Sequence, residues 1–551
     1  MTTFFQAQMD YIFFFYGLAF IGLGVVAFIL AKEANQRLPW SWLALFGFTH
    51  GANEWLDLMA LVAGDGAWFG ALRWAIMAAS FLCLVEFGRL SLSQRWGRGP
   101  GRWLLLVLSL SAGLGALDGW SGLNAATRYF LGLVGSLGAG FALFAEARQT
   151  DSRCRPSLAA GGIGFILYGL ATGLVVPQAG FFPANTLNYA TFTSLTGLPI
   201  QLVRGLLAVW IAAMSVGYFQ VAQSEAEERR HRYRVRYLYV VVAALSVILV
   251  GGWFLTQYLG SLGWQQVRKD SLSHNQLALQ RLAFEVKVAE EAVRAMSGSP
   301  WIAPALRSKT PEALARANAV LDRYQQRFGA AVAYLLDASG ATIASSNRGD
   351  PDSFVGHKYT FRPYFQDAMA GAPGRYFALG VTSKKRGFYA SHPVKDPAGK
   401  VIGVAVFKMT LNRFQLELKE FDPAFLVDPQ GIVFIASRPN LDYHSLWPVA
   451  AADPAGFKAQ YGTDRFIPLF SQPLHDQAQI EFNGRRYTVT RENIAEVIAP
   501  GWSLVNLEPF TPVMHYRLMG IAAAFILVFL TLVFAGTNLS LREGANRILA
   551  S

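Results

Sequence analysis

The chain has 551 residues, of which 53% are hydrophobic and only 15% charged, with a formal net charge of +12 at pH 7. Ordinary soluble proteins carry about 25% charged residues, so this composition excludes a wholly water-soluble chain and points to a membrane protein. It also excludes nucleic acid as a partner, because the excess positive charge sits in loops between apolar runs, at Lys32 and Arg37, at Arg89, Arg95, Arg98 and Arg102, at Arg148, Arg153 and Arg155, and in EERRHRYRVR.

A membrane span needs about 20 apolar residues. Nine segments qualify or come close: 11–31, 41–63, 67–88, 103–118, 128–146, 157–176, 198–220, 237–258 and 514–537. The first lacks an A-x-A cleavage site and is expected to be a retained helix. Basic loops follow the first, third, fifth and seventh segments, whereas the loops after the second, fourth and sixth are nearly uncharged. The positive-inside rule then predicts the N-terminus outside, the basic linker 223–236 inside, residues 260–512 outside, and the tail 538–551 with Arg542 and Arg547 inside.

The second span carries His50, Glu54 and Asp57 at i, i+4 and i+7, on one helical face. Ionisable groups inside a membrane are costly and are candidates for function. Arg73 and Glu86 in the third span and Arg204 in the seventh are their expected partners in an intramembrane polar cluster. Structural ion pairs, a pocket for a small molecule or lipid, and a metal or haem site are the competing readings. His50 is the only histidine in the first seven spans, which disfavours a haem held by two histidines, and no lysine lies in mid-span for a retinal Schiff base. No cofactor and no metal are expected. The run HGANEWLD resembles a seven-helix sensory region found at the front of bacterial signalling proteins.

After the eighth span, a helical pattern continues over about 262–296, with Leu277, Leu279, Leu282, Phe284, Val286, Val288 and Val293. A second helix is predicted from Thr310-Pro311-Glu312, where threonine caps free amides and proline fits the first helical position. The pattern then changes to strands. AYLLDASGATIASSN (333–347) and AFLVDPQGIVFIASRP (424–439) share a strand, Asp-x-x-Gly, a second strand and Ala-Ser. Glycine accepts the positive φ of a hairpin turn, so the pair predicts two copies of one sheet unit, distal at about 328–412 and proximal at about 420–510. The two cysteines, Cys83 and Cys154, lie outside this domain, which therefore has neither a disulfide nor a thiolate metal site.

Two tandem sheet units after a long membrane-exiting helix, followed by a return span, resemble the double Cache (PAS-like) sensor domains of bacterial receptors. Residues 359–410, YTFRPYFQDAMAGAPGRYFALGVTSKKRGFYASHPV continuing into GKVIGVAVFKMTL, are similar to the ligand-binding module of the DctB-type dicarboxylate sensor histidine kinases. That family carries R-P-Y-F, then G-T-T-S, a G-Y-Y turn and G-V-V-V-V-K in the same order. The resemblance implies a pocket formed by Tyr359, Arg362, Tyr364, Tyr376, Ala378, Gly380, Thr382, Ser383, Tyr389 and Lys408. The chemistry agrees: arginine offers a planar fork and lysine a point charge to a small carboxylate, and aromatic walls that exclude water strengthen both. The sequence departs from the family at Val381, at Phe388 and at Lys384, Lys385 and Arg386, which stand in a loop where neutral residues are usual, and this leaves the identity of the anion open. Alternatives are a structural ion pair of Arg362 with Asp367, a merely solvated Lys408, and plain structural roles for the flanking His357 and His392.

No Walker A motif, H-E-x-x-H, G-x-S-x-G or GGDEF-like run occurs, so no catalytic domain is expected within residues 1–551. Only about fourteen residues follow the ninth span, which predicts either the sensory part of a longer receptor or a sensory subunit that signals to a partner. If the chain is C-terminally truncated, a histidine kinase is the first expectation for the output and a diguanylate cyclase the second. The fold expected is a membrane α-helical part of about nine spans plus an α+β double Cache domain, in a bacterial inner membrane and surrounded by lipid. The expected function is that of a transmembrane receptor for a C4-dicarboxylate or other small anion, acting as a homodimer on a cytoplasmic kinase or response-regulator output. A multi-pass transporter, or a membrane-embedded binding protein with an accessory soluble domain, is the alternative. A transporter, however, would be built on repeated broken helices, and no repeat is visible among the spans.

Overall fold

A computed structural model of the chain describes residues 2–32, 37–96, 99–222, 228–449, 454–494 and 501–550. The chain divides into two units, Met1–Gly263 with Thr511–Ser551, and Trp264–Phe510. Of the basic linker expected at 223–236, residues 223–227 lie outside the described residues.

The first unit is helical. Among the described residues seven helical stretches are long and apolar enough to cross a membrane: Met9–Lys32, Ala67–Arg95, Trp103–Ala147, Arg155–Gly173, Ile200–Val221, Arg236–Ser297 and Thr511–Asn538. The 24-residue helix Trp40–Ala63 has similar length but carries His50, Asn53, Glu54 and Asp57, which lower its hydropathy. The segment expected as a span over 103–118 is an α-helix only over Trp103–Gly113 and tightens into a 3-10 turn over Leu114–Asp118. A short helix, Gly119–Thr127, and a widened turn, Arg128–Leu133, then lead into the helix Val134–Ala147.

Small residues let the first two long helices approach closely. A Cβ on Gly47 would lie 2.5 Å from the Gly24 nitrogen, so any larger residue there would force the backbones apart. At the end of the chain, the Arg517 guanidinium donates to both Asp10 carboxylate oxygens, at 2.6 and 2.7 Å, which ties the helix Thr511–Ala550 to the helix Met9–Lys32.

The second unit contains two five-stranded antiparallel sheets. The first has strands β1 (Val332–Asp337), β2 (Thr342–Ser345), β3 (Gly374–Leu379), β4 (Arg386–Lys395) and β5 (Val401–Met409), in the order β2-β1-β5-β4-β3. The second has β6 (Ala424–Val427), β7 (Val433–Ala436), β8 (Gln479–Phe482), β9 (Arg485–Asn493) and β10 (Ser503–Pro509), in the matching order β7-β6-β10-β9-β8.

The repeat in the sequence corresponds to a repeat of hydrogen bonds. Asp337 Oδ1 accepts from the amides of Ser339 and Ala341, at 2.9 and 3.1 Å, and Asp428 Oδ1 accepts from Gln430 and Ile432, at 2.9 and 2.8 Å. Each carboxylate satisfies the amides of its own turn while Gly340 and Gly431 supply the left-handed residue, at φ 76° and 94°. Ala333 N donates to Ser346 Oγ at 3.0 Å, and Ala424 N donates to Ser437 Oγ at 3.1 Å. Even the irregularity is shared, since the register shifts at Leu335/Leu336 in one hairpin and at Leu426/Val427 in the other.

Both faces of the first sheet are buried, as a continuous apolar run such as Val332–Asp337 requires. Side chains alternate, so Ala333, Leu335, Ala405 and Phe407 pack on the face toward Leu282, Val286 and Val293 of the helix Glu228–Ser297. Val332, Tyr334, Leu336, Val404 and Val406 point to the opposite face, which is closed by Tyr359, Tyr364 and Phe365. The predicted cap holds as well: Thr310 accepts from the Ala313 amide at the start of the helix Pro311–Phe328.

Candidate functional site

Period two along β5 puts Lys408 on the same face as Val404 and Val406. In register it lies opposite Val332 on one side and Tyr389 on the other, near the C-terminal end of the central strand. Its side chain is 1% exposed. The ammonium donates to Ser383 Oγ and lies 5.6 and 5.9 Å from the ring centres of Tyr389 and Phe354. Desolvation pushes its pKa down from 10.5 to about 8; Asp352 pulls the other way, while Lys385 and Arg362 lower it further.

The backbone leaves room at this point. A Cβ on Gly380 would come within 2.8 Å of the Lys408 ammonium and 2.9 Å of the Tyr389 hydroxyl. Gly380 closes a turn in which its amide donates to the Lys385 carbonyl at 3.0 Å and its carbonyl accepts from the Lys384 amide at 2.8 Å. This turn presents Thr382 and Ser383. Tyr359, 4% exposed, shares a 2.7 Å hydrogen bond with Thr382 through their hydroxyls.

Arg362 stands at the N-terminus of the helix Pro363–Met369, where the following proline holds it extended, with φ −82° and ψ 129°. It is 2% exposed. Nη2 donates to the Leu379 carbonyl at 2.9 Å and Nη1 to the Ala459 carbonyl at 3.1 Å, while the guanidinium carbon lies 5.2 and 5.5 Å from the ring centres of Phe361 and Tyr376. The ion pair with Asp367 weighed as an alternative does not form. Among the described residues, neither Arg362 nor Lys408 has a carboxylate within 4 Å, although both are buried.

Tyr364 stacks on Tyr389 with ring centres 5.3 Å apart and accepts a 2.8 Å hydrogen bond from Tyr334. Burial raises the pKa of Tyr359, Tyr364, Tyr376 and Tyr389, which keeps these hydroxyls neutral donors. Ala378, on β3, is fully buried in the same aromatic cluster.

All ten residues of the expected pocket therefore belong to the closed face of the first sheet or to the turn beside it. Two neighbours do not. Arg386 pairs with Asp442 at 2.6 Å and donates to the Phe434 carbonyl, and His392 accepts from or donates to Ser297 at 2.8 Å. Sequence reasoning missed Phe354, whose ring lies 5.9 Å from the lysine ammonium, Tyr334, which donates to Tyr364, and the Ala459 carbonyl. Alternation along AYLLD gave a signal for Tyr334, but a backbone carbonyl leaves none.

In the helical unit, His50 is fully buried, with Nδ1 2.9 Å from Ser80 Oγ and Nε2 2.9 Å from the Tyr168 hydroxyl and 3.5 Å from Glu54. Asp57 pairs with Arg73, which also reaches Asp65. Glu86 and Arg204 form no ion pair with His50, Glu54 or Asp57 among the described residues. Glu86 takes the nearer Arg89, three residues on, at 2.6 Å. Arg204 instead caps a helix end, donating to the carbonyls of Ala171, at 3.0 and 3.1 Å, and Val175, at 2.5 Å. Among the described residues no three of His, Cys, Asp and Glu converge as metal ligands.

No family model matches the chain. The C4-dicarboxylate transport sensor protein DctB of Pseudomonas aeruginosa is 29% identical over 316 residues, 56% of this chain and 48% of that protein. Its namesake from Rhizobium meliloti is 32% identical over 244 residues, 44% of this chain and 38% of that protein. The chain thus spans about half, or less, of the length of these relatives. A solved sensor domain of the Vibrio cholerae histidine kinase DctB is 27% identical, covering 44% of this chain and 98% of that domain, with a TM-score of 0.39. The two sequence relatives support a Cache sensor domain in this chain.

Proposed function

We propose that this chain is the sensing part of a transmembrane receptor whose first sheet unit binds a small dicarboxylate. One observation carries the reading: two cations, Arg362 and Lys408, are buried behind aromatic walls without a carboxylate within 4 Å among the described residues. Buried charge is costly unless it is paired, so an arrangement that keeps two such groups is suited to an anion with a charge at each end. Arginine grips one carboxylate through its fork; lysine meets the other as a point charge, with Ser383, Thr382 and the tyrosine hydroxyls as neutral donors. Two relatives bear the name of C4-dicarboxylate transport sensors, which supports the same ligand class.

The proposed mechanism uses bonds already present. A carboxylate bound to Arg362 competes with the Ala459 carbonyl for Nη1, and so changes how the first sheet unit holds the helix Pro454–Tyr461 beside the second. The ligand shifts this equilibrium only by its difference in affinity for the two arrangements. In this reading the domain lies outside a bacterial inner membrane, the spans around 237–258 and 514–537 relay the change inward within a homodimer, and the output is a histidine kinase acting on a response regulator.

The test is calorimetric titration of the full chain in lipid nanodiscs with succinate, malate and fumarate. Binding in the wild type that is lost in Arg362→Ala supports the reading. No binding of any of the three, or undiminished binding in the variant, overturns it.

A further inference from the structure

The helical unit contains a cavity of about 480 Å³ between the helices Trp40–Ala63, Ala67–Trp96 and Gly119–Thr127. That volume falls in the range of small-molecule sites. Asn53, Asp57, Asp65, Arg73, Trp74 and Trp120 line it. Asn53 is 2% exposed, yet its Oδ1 has no hydrogen-bond partner, and the Nε of Arg73 has none either. Buried polar atoms are normally paired, so an orphaned acceptor in a cavity wall marks a place where something else donates.

The charges decide what that is. Asp57 and Asp65 share the single guanidinium of Arg73, which leaves one formal negative charge on the wall. Glu54 and Arg128, which donates to Asn124 at 2.9 Å, are not among the residues that line the cavity. The indoles of Trp74 and Trp120 complete the site, and ring faces of this kind attract cations. Trp74 is held in place by donating to Thr127 at 3.0 Å.

We propose that this cavity is a binding site for a small organic cation, an amine or quaternary ammonium compound, separate from the carboxylate pocket of the sheet unit. The ammonium sits between the indoles and the unneutralised carboxylate, and an N–H donor, where the ligand has one, meets Asn53 Oδ1.

The experiment uses the full chain in nanodiscs, with tetramethylammonium chloride and methylammonium chloride as probes and sodium chloride at equal ionic strength as the control. Both probes are expected to raise the melting temperature above the control and to change tryptophan fluorescence saturably. Trp120→Ala, at a ring that is 59% exposed and so tolerant of truncation, is expected to weaken both probes by roughly two- to fivefold, the fold-change of a surface cation–π contact. Asn53→Leu is expected to weaken methylammonium more than tetramethylammonium, because only the former donates. Shifts equal to those of sodium chloride, or shifts undiminished in Trp120→Ala, overturn the proposal even if Asn53→Leu fails to fold. Succinate titration of the same samples reports on the other pocket, so the two readings stand or fall separately.

Discussion

Arg362 donates to the carbonyl of Ala459 at 3.1 Å, across 97 residues of sequence, and so joins the closed face of the first sheet to the helix beside the second. The same guanidinium holds the Leu379 carbonyl at the end of β3. One side chain thus serves as the candidate ligand anchor and as a link between two halves of the domain, and these roles separate under substitution.

Arg362→Lys keeps the charge and loses the fork. It is expected to weaken succinate binding by about ten- to a hundredfold, the cost of one or two charge-assisted hydrogen bonds. Arg362→Ala should also lower the melting temperature, because the carbonyls of Leu379 and Ala459 lose their donor. Calorimetry and thermal unfolding of the same samples check both effects.

Lys408→Met should act in opposite directions on binding and stability. Removing the ammonium weakens dicarboxylate binding, while methionine fills the same space without a desolvation penalty. A folded pKa of about 8 against 10.5 in the unfolded chain corresponds to about 3 kcal/mol of destabilisation at pH 7. The variant is therefore expected to melt at a higher temperature than the wild type in the absence of ligand, and a lower one would show that the lysine is already paired.

The same group sets a pH dependence. Below about pH 8 Lys408 is protonated in both the folded and unfolded chain, and its penalty is fully present. Between about 8 and 10.5 the unfolded chain binds the extra proton, so the contribution of Lys408 to stability becomes more favourable as pH rises. Anion affinity moves the other way, falling by up to about tenfold per pH unit above 8 as the ammonium loses its proton. Titrations with succinate at pH 7, 8 and 9 read this directly, and Lys408→Met should flatten the profile.

The tandem carboxylates carry a purely structural prediction. Asp337→Ala and Asp428→Ala each remove an acceptor from two turn amides. Each is expected to cost about 1–3 kcal/mol, read as a lower melting temperature. Asp428→Ala should cost more, because it strands the buried Tyr461 hydroxyl that donates to it at 2.6 Å, whereas the side chains that donate to Asp337, Ser339 and Lys309, are exposed and turn to water.

Sequence alone determined whatever rests on local bonding. The Asp-x-x-Gly hairpins, the Thr310 cap and the alternation along β1 are each written within a few residues, because donor, acceptor and backbone geometry all lie there. The motif order at 359–410 likewise marked the residues that gather around Lys408. Tertiary structure decided the partners. Arg204 caps the carbonyls of Ala171 and Val175, Glu86 takes Arg89, and Arg362 reaches Ala459. Of these, the carbonyl acceptors are invisible in a sequence, since every residue carries the same C=O and only the fold sets which one a long side chain reaches. The cavity beside Asn53 has the same origin, because an unpaired oxygen is defined by what packing fails to bring near it.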